Sequence, residues 1–281
     1  MNLLPSVTTI DCQALHVALG SKSKQPLLTD ISCQFSGGSI TAILGKNGAG
    51  KSTLLKVLSK QNTAYEGRIE FDGSDLAEFN LADLAQQRAV LTQQNPVAFS
   101  MSVKDLVSLG ADVQANLTQL RIDEVLSFCD LTAFASRDVL TLSGGELQRA
   151  HIARVLAQIW PESGLYEGSG DLKHKALNGK WLFLDEWTNN LDLHHHQAFA
   201  SLFKQLSHQG LGIIMVMHDL NLAVSLADDI KVLNTGRMVL DGTPREVLTP
   251  QSIKQHLGLE VEMHVLAKEE DRRSCYQLYL R

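Results

Sequence analysis

The stretch Gly45-Lys46-Asn47-Gly48-Ala49-Gly50-Lys51-Ser52 decides how this sequence folds. It follows the apolar, β-branched run Ser39–Leu44 and precedes Thr53–Leu58, in which the apolar residues have helical spacing. A strand, a glycine-rich loop and a helix in this order form a phosphate-binding loop, in which backbone amides and the positive end of the helix surround an anion. Lys51 is expected to contact the β- and γ-phosphates of a nucleotide, and Ser52 to ligate Mg²⁺. The stretch therefore predicts an α/β fold with a nucleotide site.

A second motif is the apolar strand Trp181–Leu184, which is followed directly by Asp185 and Glu186. Asp185 is placed to contact Mg²⁺, and Glu186 is placed to polarise an attacking water molecule. A strand that ends in two carboxylates is common by itself. Together with the phosphate-binding loop, it indicates hydrolysis of a nucleoside triphosphate.

The composition narrows the class of protein. The chain has 281 residues, of which 44% are hydrophobic and 20% charged, so we expect a buried core rather than disorder. The formal net charge of −6 argues against nucleic acid as the main partner, because binding phosphates needs a basic face. No apolar run approaches the length of about 18 residues that a membrane span needs, and no secretory signal is visible. The four cysteines (Cys12, Cys33, Cys129 and Cys275) form no CxxC pair, which favours the reducing cytosol.

The run Leu142-Ser143-Gly144-Gly145-Glu146-Leu147-Gln148-Arg149 contains a serine and two glycines at the predicted start of a helix. A hydroxyl and backbone amides at such a position can hold an anion. The chain already has a phosphate site in its glycine-rich loop. A second anion site is best explained if it serves the nucleotide of another subunit.

With these motifs, the sequence resembles the ATP-binding subunits of ABC transporters over essentially its whole length, and LSGGELQR matches the signature of that family. The resemblance implies ATP and Mg²⁺ as cofactors, with Ser52, Gln93 and Asp185 as metal contacts. It implies Glu186, His218 and Gln93 as catalytic residues; Gln94 is one register step away from Gln93. The residues implied to bind the nucleotide are Gly45, Lys46, Asn47, Gly48, Ala49, Gly50, Lys51, Ser52, Thr53, Ser143, Gly144, Gly145, Gln148 and Asp192.

The resemblance also implies an architecture and partners. One ABC ATPase domain over residues 1–281 would contain a P-loop nucleotide-binding sheet core, an N-terminal antiparallel β portion and an inserted helical subdomain around 95–155. A surface loop at 161–179 and short C-terminal strands at 258–281 complete it. Two copies would sandwich ATP, in a homodimer that drives two transmembrane permease subunits and a periplasmic substrate-binding protein. This subunit would act at the cytoplasmic face of the inner membrane, with no nucleic acid.

Four residues depart from the family pattern. Trp187 stands where the family usually has proline after the Asp-Glu pair, and Asn189-Asn190 replaces two smaller residues. We expect the bulk of Trp187 to disturb the dimer-facing loop beside Glu186. Leu19 stands where the family tends to place the aromatic residue that stacks on adenine, which predicts weak discrimination between ATP and GTP.

Three consecutive histidines, His194-His195-His196, invite a metal interpretation. Adjacent residues of a helix point in different directions, whereas helical ligand pairs are spaced i, i+4, so a solvated helix start is the better interpretation.

Within the family, the chain is similar to ATPases that import iron chelates, cobalamin or haem. The run Asp192–Gln197 and the long loop that begins at Ala157 favour haem (hemin) by resemblance. An importer of siderophore iron or cobalamin remains an alternative. The motifs alone also distinguish poorly between an ABC importer and an ABC exporter. A non-transport ABC ATPase that acts on DNA or ribosomes would usually carry a long coiled coil or two cassettes, and a plain P-loop kinase or GTPase leaves the signature unexplained.

Overall fold

The computed structural model describes residues 8–18, 26–111, 119–161, 176–265 and 276–280. The chain forms two compact units, and it passes between them several times. The α-rich unit includes Thr8, Ser36–Gly38 and Glu78–Ile213. The β-rich unit includes Thr9–Phe35, Ser39–Ala77 and Ile214–Arg281.

The β-rich unit contains a four-stranded sheet near the N-terminus. Its strands are β1 (Thr9–Ala18), β2 (Pro26–Ser36), β4 (Glu66–Phe71) and β5 (Ser74–Asp75), in the spatial order β2-β1-β4-β5. Strand β4 pairs antiparallel with both β1 and β5. One face of β1 is buried, as its alternating pattern predicts. The turn at Asp72-Gly73 connects β4 and β5 as a hairpin.

The second sheet region of this unit carries the glycine-rich loop. Strand β3 (Ile40–Gly45) is buried along its whole length and pairs in parallel with β9 (Asp229–Asn234), which pairs antiparallel with β10 (Arg237–Gly242). Helix α1 (Lys51–Leu58) follows the loop and buries Leu54, Leu55, Val57 and Leu58. A strand buried on both faces reads as a continuous apolar run, which is what Ile40–Leu44 shows.

The remaining elements of the chain after residue 211 are short. Strand β8 (Gly212–Val216) is fully buried, and α7 (Leu220–Leu226) begins behind the N-cap residue Asp219. Two short helices, α8 (Pro244–Val247) and α9 (Pro250–Ser252), and a π-helical turn at Ile253–Leu257 lead to the antiparallel pair of β11 (Val261–Val265) and β12 (Tyr276–Leu280). The predicted C-terminal strands are therefore present. Residues 266–275, between these two strands, lie outside the described residues.

The α-rich unit contains α2 (Leu81–Gln87), β6 (Arg88–Leu91), α3 (Val103–Ala111), α4 (Gln119–Phe128), α5 (Gly144–Ile159), β7 (Trp181–Asp185) and α6 (Leu193–His208). Strands β6 and β7 pair in parallel, with Ala89 opposite Leu182. Helices α3 and α5 cross closely, since a Cβ at Gly110 would lie 1.9 Å from the Arg154 carbonyl oxygen. Most of the predicted surface loop at 161–179 lies outside the described residues, and Leu19 does as well.

The predicted fold class is confirmed: an antiparallel N-terminal sheet, a parallel-rich sheet region with a P-loop, and a helical portion made by α3, α4 and α5. Helix α5 ends at Ile159 and helix α6 ends at His208. Among the helices of the described residues, none is both long and apolar enough to cross a membrane.

Candidate active site

The glycine-rich loop between β3 and α1 holds its own lysine. The Lys51 ammonium donates to the Gly45 carbonyl oxygen at 2.8 Å and to the Lys46 carbonyl oxygen at 3.1 Å. Lys51 is only 6% exposed, so its charge is concentrated at the concave side of the loop. The first residues of α1 include Ser52 and Thr53, and no side chain caps this helix N-terminus. Its positive end is thus available to an anionic group.

Close backbone contacts explain why the loop needs glycine. A Cβ at Gly45 would lie 2.3 Å from the Leu233 carbonyl oxygen, and one at Gly50 would lie 2.9 Å from the Leu27 carbonyl oxygen. Gly48 has φ 78° with open space around it. Space is therefore the constraint at Gly45 and Gly50, whereas conformation is the constraint at Gly48.

A pocket of 280 Å³ in the β-rich unit brings the loop together with His218. His218 comes directly after β8 and Met217, at the carboxyl end of that strand. The pocket is lined by Leu44, Gly45, Lys46, Asn47, Met217, His218, Leu220, Leu257 and Leu259. Leu257, which ends the π-helical turn, and Leu259, which lies just after it, were not among the predicted site residues, because nothing in their local sequence pattern indicates that they face the loop.

The carboxylate pair after β7 lies in the α-rich unit. Asp185 is 3% exposed at the end of the strand, and the next residue, Glu186, has a left-handed backbone with φ 53°. The Gln93 amide nitrogen donates to Glu186 Oε2 at 2.8 Å. Asn189 donates to the same oxygen at 3.0 Å. The structure therefore brings the predicted residues Gln93 and Glu186 together, and it adds Asn189 to them.

The signature begins helix α5 with a reciprocal cap. The Ser143 hydroxyl accepts from the Glu146 backbone amide at 3.3 Å, and the Glu146 carboxylate accepts from the Ser143 backbone amide at 2.7 Å. This is a capping box, which fixes the start of the helix. The hydrogen bonds from Ser143 lower the pKa of the Glu146 carboxyl. The cap places Ser143, Gly144 and Gly145 at a helix N-terminus, as the sequence predicts.

The start of α5 packs against the loop that follows β7. A Cβ at Gly145 would lie 2.9 Å from the Asn190 carbonyl oxygen, and one at Gly144 would lie 3.4 Å from the Asn190 Cβ. The Gln148 amide nitrogen donates to the Trp187 carbonyl oxygen at 3.0 Å. The signature glycines thus have an intramolecular packing role that the sequence pattern did not indicate.

Asp192 closes the same loop as the N-cap of α6. Its carboxylate accepts from the backbone amide of His195 at 2.9 Å and contacts His195 Nδ1 at the same distance. Both hydrogen bonds with His195 lower the pKa of the Asp192 carboxyl, and the backbone one has the larger effect. On its other side, His195 Nε2 lies 3.5 Å from the Asp130 carboxylate, which also accepts from Arg149 of the signature helix at 2.9 Å. A chain of polar contacts therefore connects this cap to the signature helix.

The expectation that Trp187 adds bulk beside Glu186 needs correction. The indole is fully buried against α6, where it makes edge contacts with His196, Phe199 and Phe203. Its ring centroid lies 5.1 Å from that of Phe203. The side chain is a core residue of the α-rich unit, and its bulk stabilises the loop instead of disturbing it.

The three histidines at the start of α6 have separate surroundings. His194 is exposed, His195 contacts two carboxylates, and His196 Nε2 lies 3.0 Å from the Thr188 carbonyl oxygen. In the described part of the chain, no group of three or more His, Cys, Asp or Glu side chains could hold a metal ion.

The predicted site residues fall into two groups. Gly45–Thr53 and His218 belong to the β-rich unit, and Gln93, Ser143–Gly145, Gln148, Asp185, Glu186 and Asp192 belong to the α-rich unit. Within each unit, the structure brings residues together that are far apart in sequence. The first group surrounds a buried ammonium and a helix N-terminus, and the second supplies a carboxylate held by two amides.

Comparison with known proteins agrees with this chemistry. The ABC transporter family model matches residues 28–160. The hemin import ATP-binding protein HmuV of Escherichia coli O157:H7 is 37% identical over 237 residues, which cover 83% of this chain and 88% of that protein. HmuV of Pseudomonas fluorescens is 37% identical over 251 residues, which cover 88% of this chain and 91% of that protein.

A solved structure gives the same result for the fold. CbiO1 of Clostridium perfringens, part of the ABC transporter complex CbiONQ, has a TM-score of 0.67 and 25% identity over 89% of this chain and 94% of its own. The chain therefore belongs to the ABC transporter family, as an ATP-binding subunit that hydrolyses ATP for a transporter complex.

Proposed function

We propose that this chain powers the import of haem (hemin) across the inner membrane. The choice of haem as the substrate rests on the 37% identity of this chain, over more than four-fifths of its length, to two proteins named for hemin import. Siderophore iron or cobalamin is the alternative cargo, because a subunit that hydrolyses ATP need not touch the molecule transported.

In this proposal, residues 1–281 work as one ATPase domain, in which Gly45–Thr53 hold the phosphates of ATP. The buried Lys51 ammonium supports this role, because a desolvated positive charge attracts phosphate oxygens more strongly than an exposed one. His218 contacts the γ-phosphate, and its place in the same pocket as Gly45, Lys46 and Asn47 supports that role.

Glu186 acts as the general base. Its carboxylate accepts a proton from the attacking water, while the amides of Gln93 and Asn189 fix the carboxylate in one orientation. Both amides donate to the same oxygen, so a change at either one alters where the base points.

Ser52, Gln93 and Asp185 would hold the Mg²⁺ that accompanies ATP. A hydroxyl, an amide oxygen and a carboxylate are hard oxygen donors of the kind that Mg²⁺ prefers, and Asp185 supplies its carboxylate at the end of β7. When bound, the ion neutralises charge on the phosphates.

Two copies of the chain would form the active dimer, in which Ser143, Gly144, Gly145 and Gln148 of one copy face the ATP held by the other. The capped helix start, which presents backbone amides, supports this assignment. Asp192 would lie on the loop that reaches the second copy. The dimer would drive two permease subunits, supplied by a periplasmic binding protein, from the cytoplasmic face of the membrane.

Deleting the gene tests the cargo. The deletion strain is grown with iron supplied only as haem, only as a siderophore complex, or as a free salt. We expect growth on haem alone to fail, and a plasmid with the wild-type gene, but not one with Glu186→Gln, to restore it. Growth on haem with loss of siderophore use would assign the subunit to a siderophore importer instead, and loss of cobalamin uptake alone would assign it to cobalamin.

A further inference from the structure

Two cysteines of the N-terminal sheet lie opposite each other on neighbouring strands. Cys12 is on β1 and Cys33 is on β2, the edge strand of the order β2-β1-β4-β5. The Gln34 amide nitrogen donates to Asp11 Oδ1 at 2.6 Å, and the Ala14 backbone amide donates to Ser32 Oγ at 2.9 Å. These contacts join residue 11 to residue 34 and residue 14 to residue 32, so the numbering rises along one strand as it falls along the other. The two strands are therefore antiparallel, and residue 12 lies across from residue 33.

This register suits a covalent link. Residues directly opposite in an antiparallel pair have Cα atoms about 4.5–5.5 Å apart. A disulfide needs a Cα separation of about 4.4–6.8 Å. The two side chains also lie close enough to shift each other's pKa. The Cα separation expected from this register therefore falls in the range that a disulfide can span.

The two thiols are chemically unequal. Cys12 is 3% exposed, whereas Cys33 is partly exposed. The Cys12 thiol donates to Cys33, and this hydrogen bond lowers the pKa of Cys33; burial opposes the shift and the positive charge of Lys231 adds to it. The same hydrogen bond, together with burial, raises the pKa of Cys12 well above its usual range. Cys33 is therefore the thiol that reacts first, and Cys12 is the buried thiol that can then attack the oxidised Cys33.

We propose that Cys12 and Cys33 form a redox-active dithiol that closes to a reversible disulfide when a hydroperoxide reaches the edge of the sheet. The Cys33 thiolate attacks the peroxide oxygen, breaks the O–O bond and becomes a sulfenic acid, with hydroxide (or the alkoxide) as the leaving group. Cys12 then attacks the Cys33 sulfur, forms the S–S bond and releases the sulfenic oxygen as water. The two thiols lose two electrons in total, and the peroxide gains them.

Cys129 provides the internal control. It is 1% exposed on the α-rich unit, and burial raises the pKa of its thiol far above the usual range. Thiols of this kind are inert toward oxidants, since the thiolate is the reactive form.

The test uses the full chain, reduced, desalted and treated with hydrogen peroxide, after which remaining thiols are alkylated and the digest is analysed by mass spectrometry. We expect one cross-linked peptide pair containing Cys12 and Cys33, lighter than the reduced pair by two hydrogen atoms and reopened by dithiothreitol. Cys129→Ser should leave the cross-link unchanged. Cys33→Ser should abolish it, and Cys12→Ser should leave a Cys33 sulfenic acid that dimedone traps.

Two results would overturn the proposal. One is a wild-type protein in which both thiols remain open to alkylation after peroxide, while a peroxide-sensitive control protein in the same tube is oxidised. The other is oxidation that pairs Cys33 or Cys12 with Cys129 or Cys275 instead. Because the first measurement is made on the wild-type chain, a variant that fails to fold does not affect the outcome.

Discussion

The loop after β3 and the loop after β7 both follow a fully buried strand, yet they hold their shape by opposite means. In the first, Gly45, Gly48 and Gly50 take positive φ angles, and backbone atoms come so close to two of them that a side chain would not fit. In the second, two residues with side chains, Glu186 and Asn190, take positive φ. An L-residue in that region costs about 1–2 kcal/mol, so the surroundings must hold it there.

The second loop is held by side chains. Gln93 and Asn189 bind the Glu186 carboxylate, and Trp187 anchors the chain in the core next to α6. The glycine-rich loop thus takes its shape because side chains are absent, whereas the loop after β7 takes its shape from side-chain contacts. Their tasks differ as well: the first loop would surround a phosphate with backbone groups, and the second would orient one carboxylate.

The largest expected effect tests this division of tasks. Glu186→Gln should lower ATP hydrolysis by about 10²–10⁴-fold, because an amide cannot accept the proton of the attacking water while its size is unchanged. ATP affinity, measured with a fluorescent analogue, should stay near the wild-type value. Lys51→Ala is the matched control in the other loop, and it should weaken ATP binding itself. Near-normal hydrolysis by Glu186→Gln would remove this residue from the role of base.

The core position of Trp187 predicts the next effect. Trp187→Ala should lower the free energy of unfolding by about 3–5 kcal/mol, as large-to-small changes in cores do, with the loss seen in urea or thermal unfolding. Trp187→Phe should cost less than Trp187→Ala, because the smaller change in volume leaves a smaller cavity. The indole nitrogen is buried with no hydrogen-bond partner among the described residues, so phenylalanine also removes an unsatisfied donor.

Proline at the same position sharpens the test. If the bulk of Trp187 disturbed the loop, Trp187→Pro would hydrolyse ATP faster, whereas the packing predicts destabilisation close to that of Trp187→Ala. A stable Trp187→Pro protein with faster hydrolysis would mean that the aromatic contacts with Phe199 and Phe203 contribute little.

The two kinds of glycine in the first loop predict a smaller difference. Gly48→Ala should cost only the left-handed conformation, about 1–2 kcal/mol, because nothing lies within 4 Å of the added Cβ. Gly45→Ala should cost about 1–3 kcal/mol more, because its Cβ would meet the Leu233 backbone at 2.3 Å. Unfolding free energies of the two variants, measured side by side, give the difference. Equal values would show that the β3 end can shift away from Leu233.

The same contrast explains what the sequence could predict. Apolar runs and glycine spacing are local, so β3, α1, β7 and the start of α5 follow from the residues themselves. The antiparallel β portion near the N-terminus was expected from the family resemblance, and it is present as β1, β2, β4 and β5. These elements and the phosphate-binding loop are where the predictions and the structure agree.

The parts that were missed depend on contacts between distant segments. Asn189 reads as a departure from the family pattern, but its amide binds Glu186. Gly145 reads as an anion-binding glycine, but it also admits the Asn190 carbonyl. Trp187 reads as bulk next to a carboxylate, but a left-handed residue before it turns the chain so that the indole enters the core. No local pattern contains this information.

The smallest expected effect concerns Asn189. Asn189→Ala removes one of two amides that donate to Glu186 Oε2, at an exposed site where a hydrogen bond contributes about 0.5–1.5 kcal/mol. We expect kcat to fall by roughly tenfold or less, since Gln93 still holds the carboxylate, and the free energy of unfolding to fall by no more than the contribution of that one hydrogen bond. Gln197→Ala, an exposed change on α6, is the control and should leave both quantities unchanged. If Asn189→Ala lowers stability but not kcat, the side chain supports the loop rather than the base. In that case Gln93 alone orients Glu186, and the double variant with Gln93→Ala should lose no more activity than Gln93→Ala does.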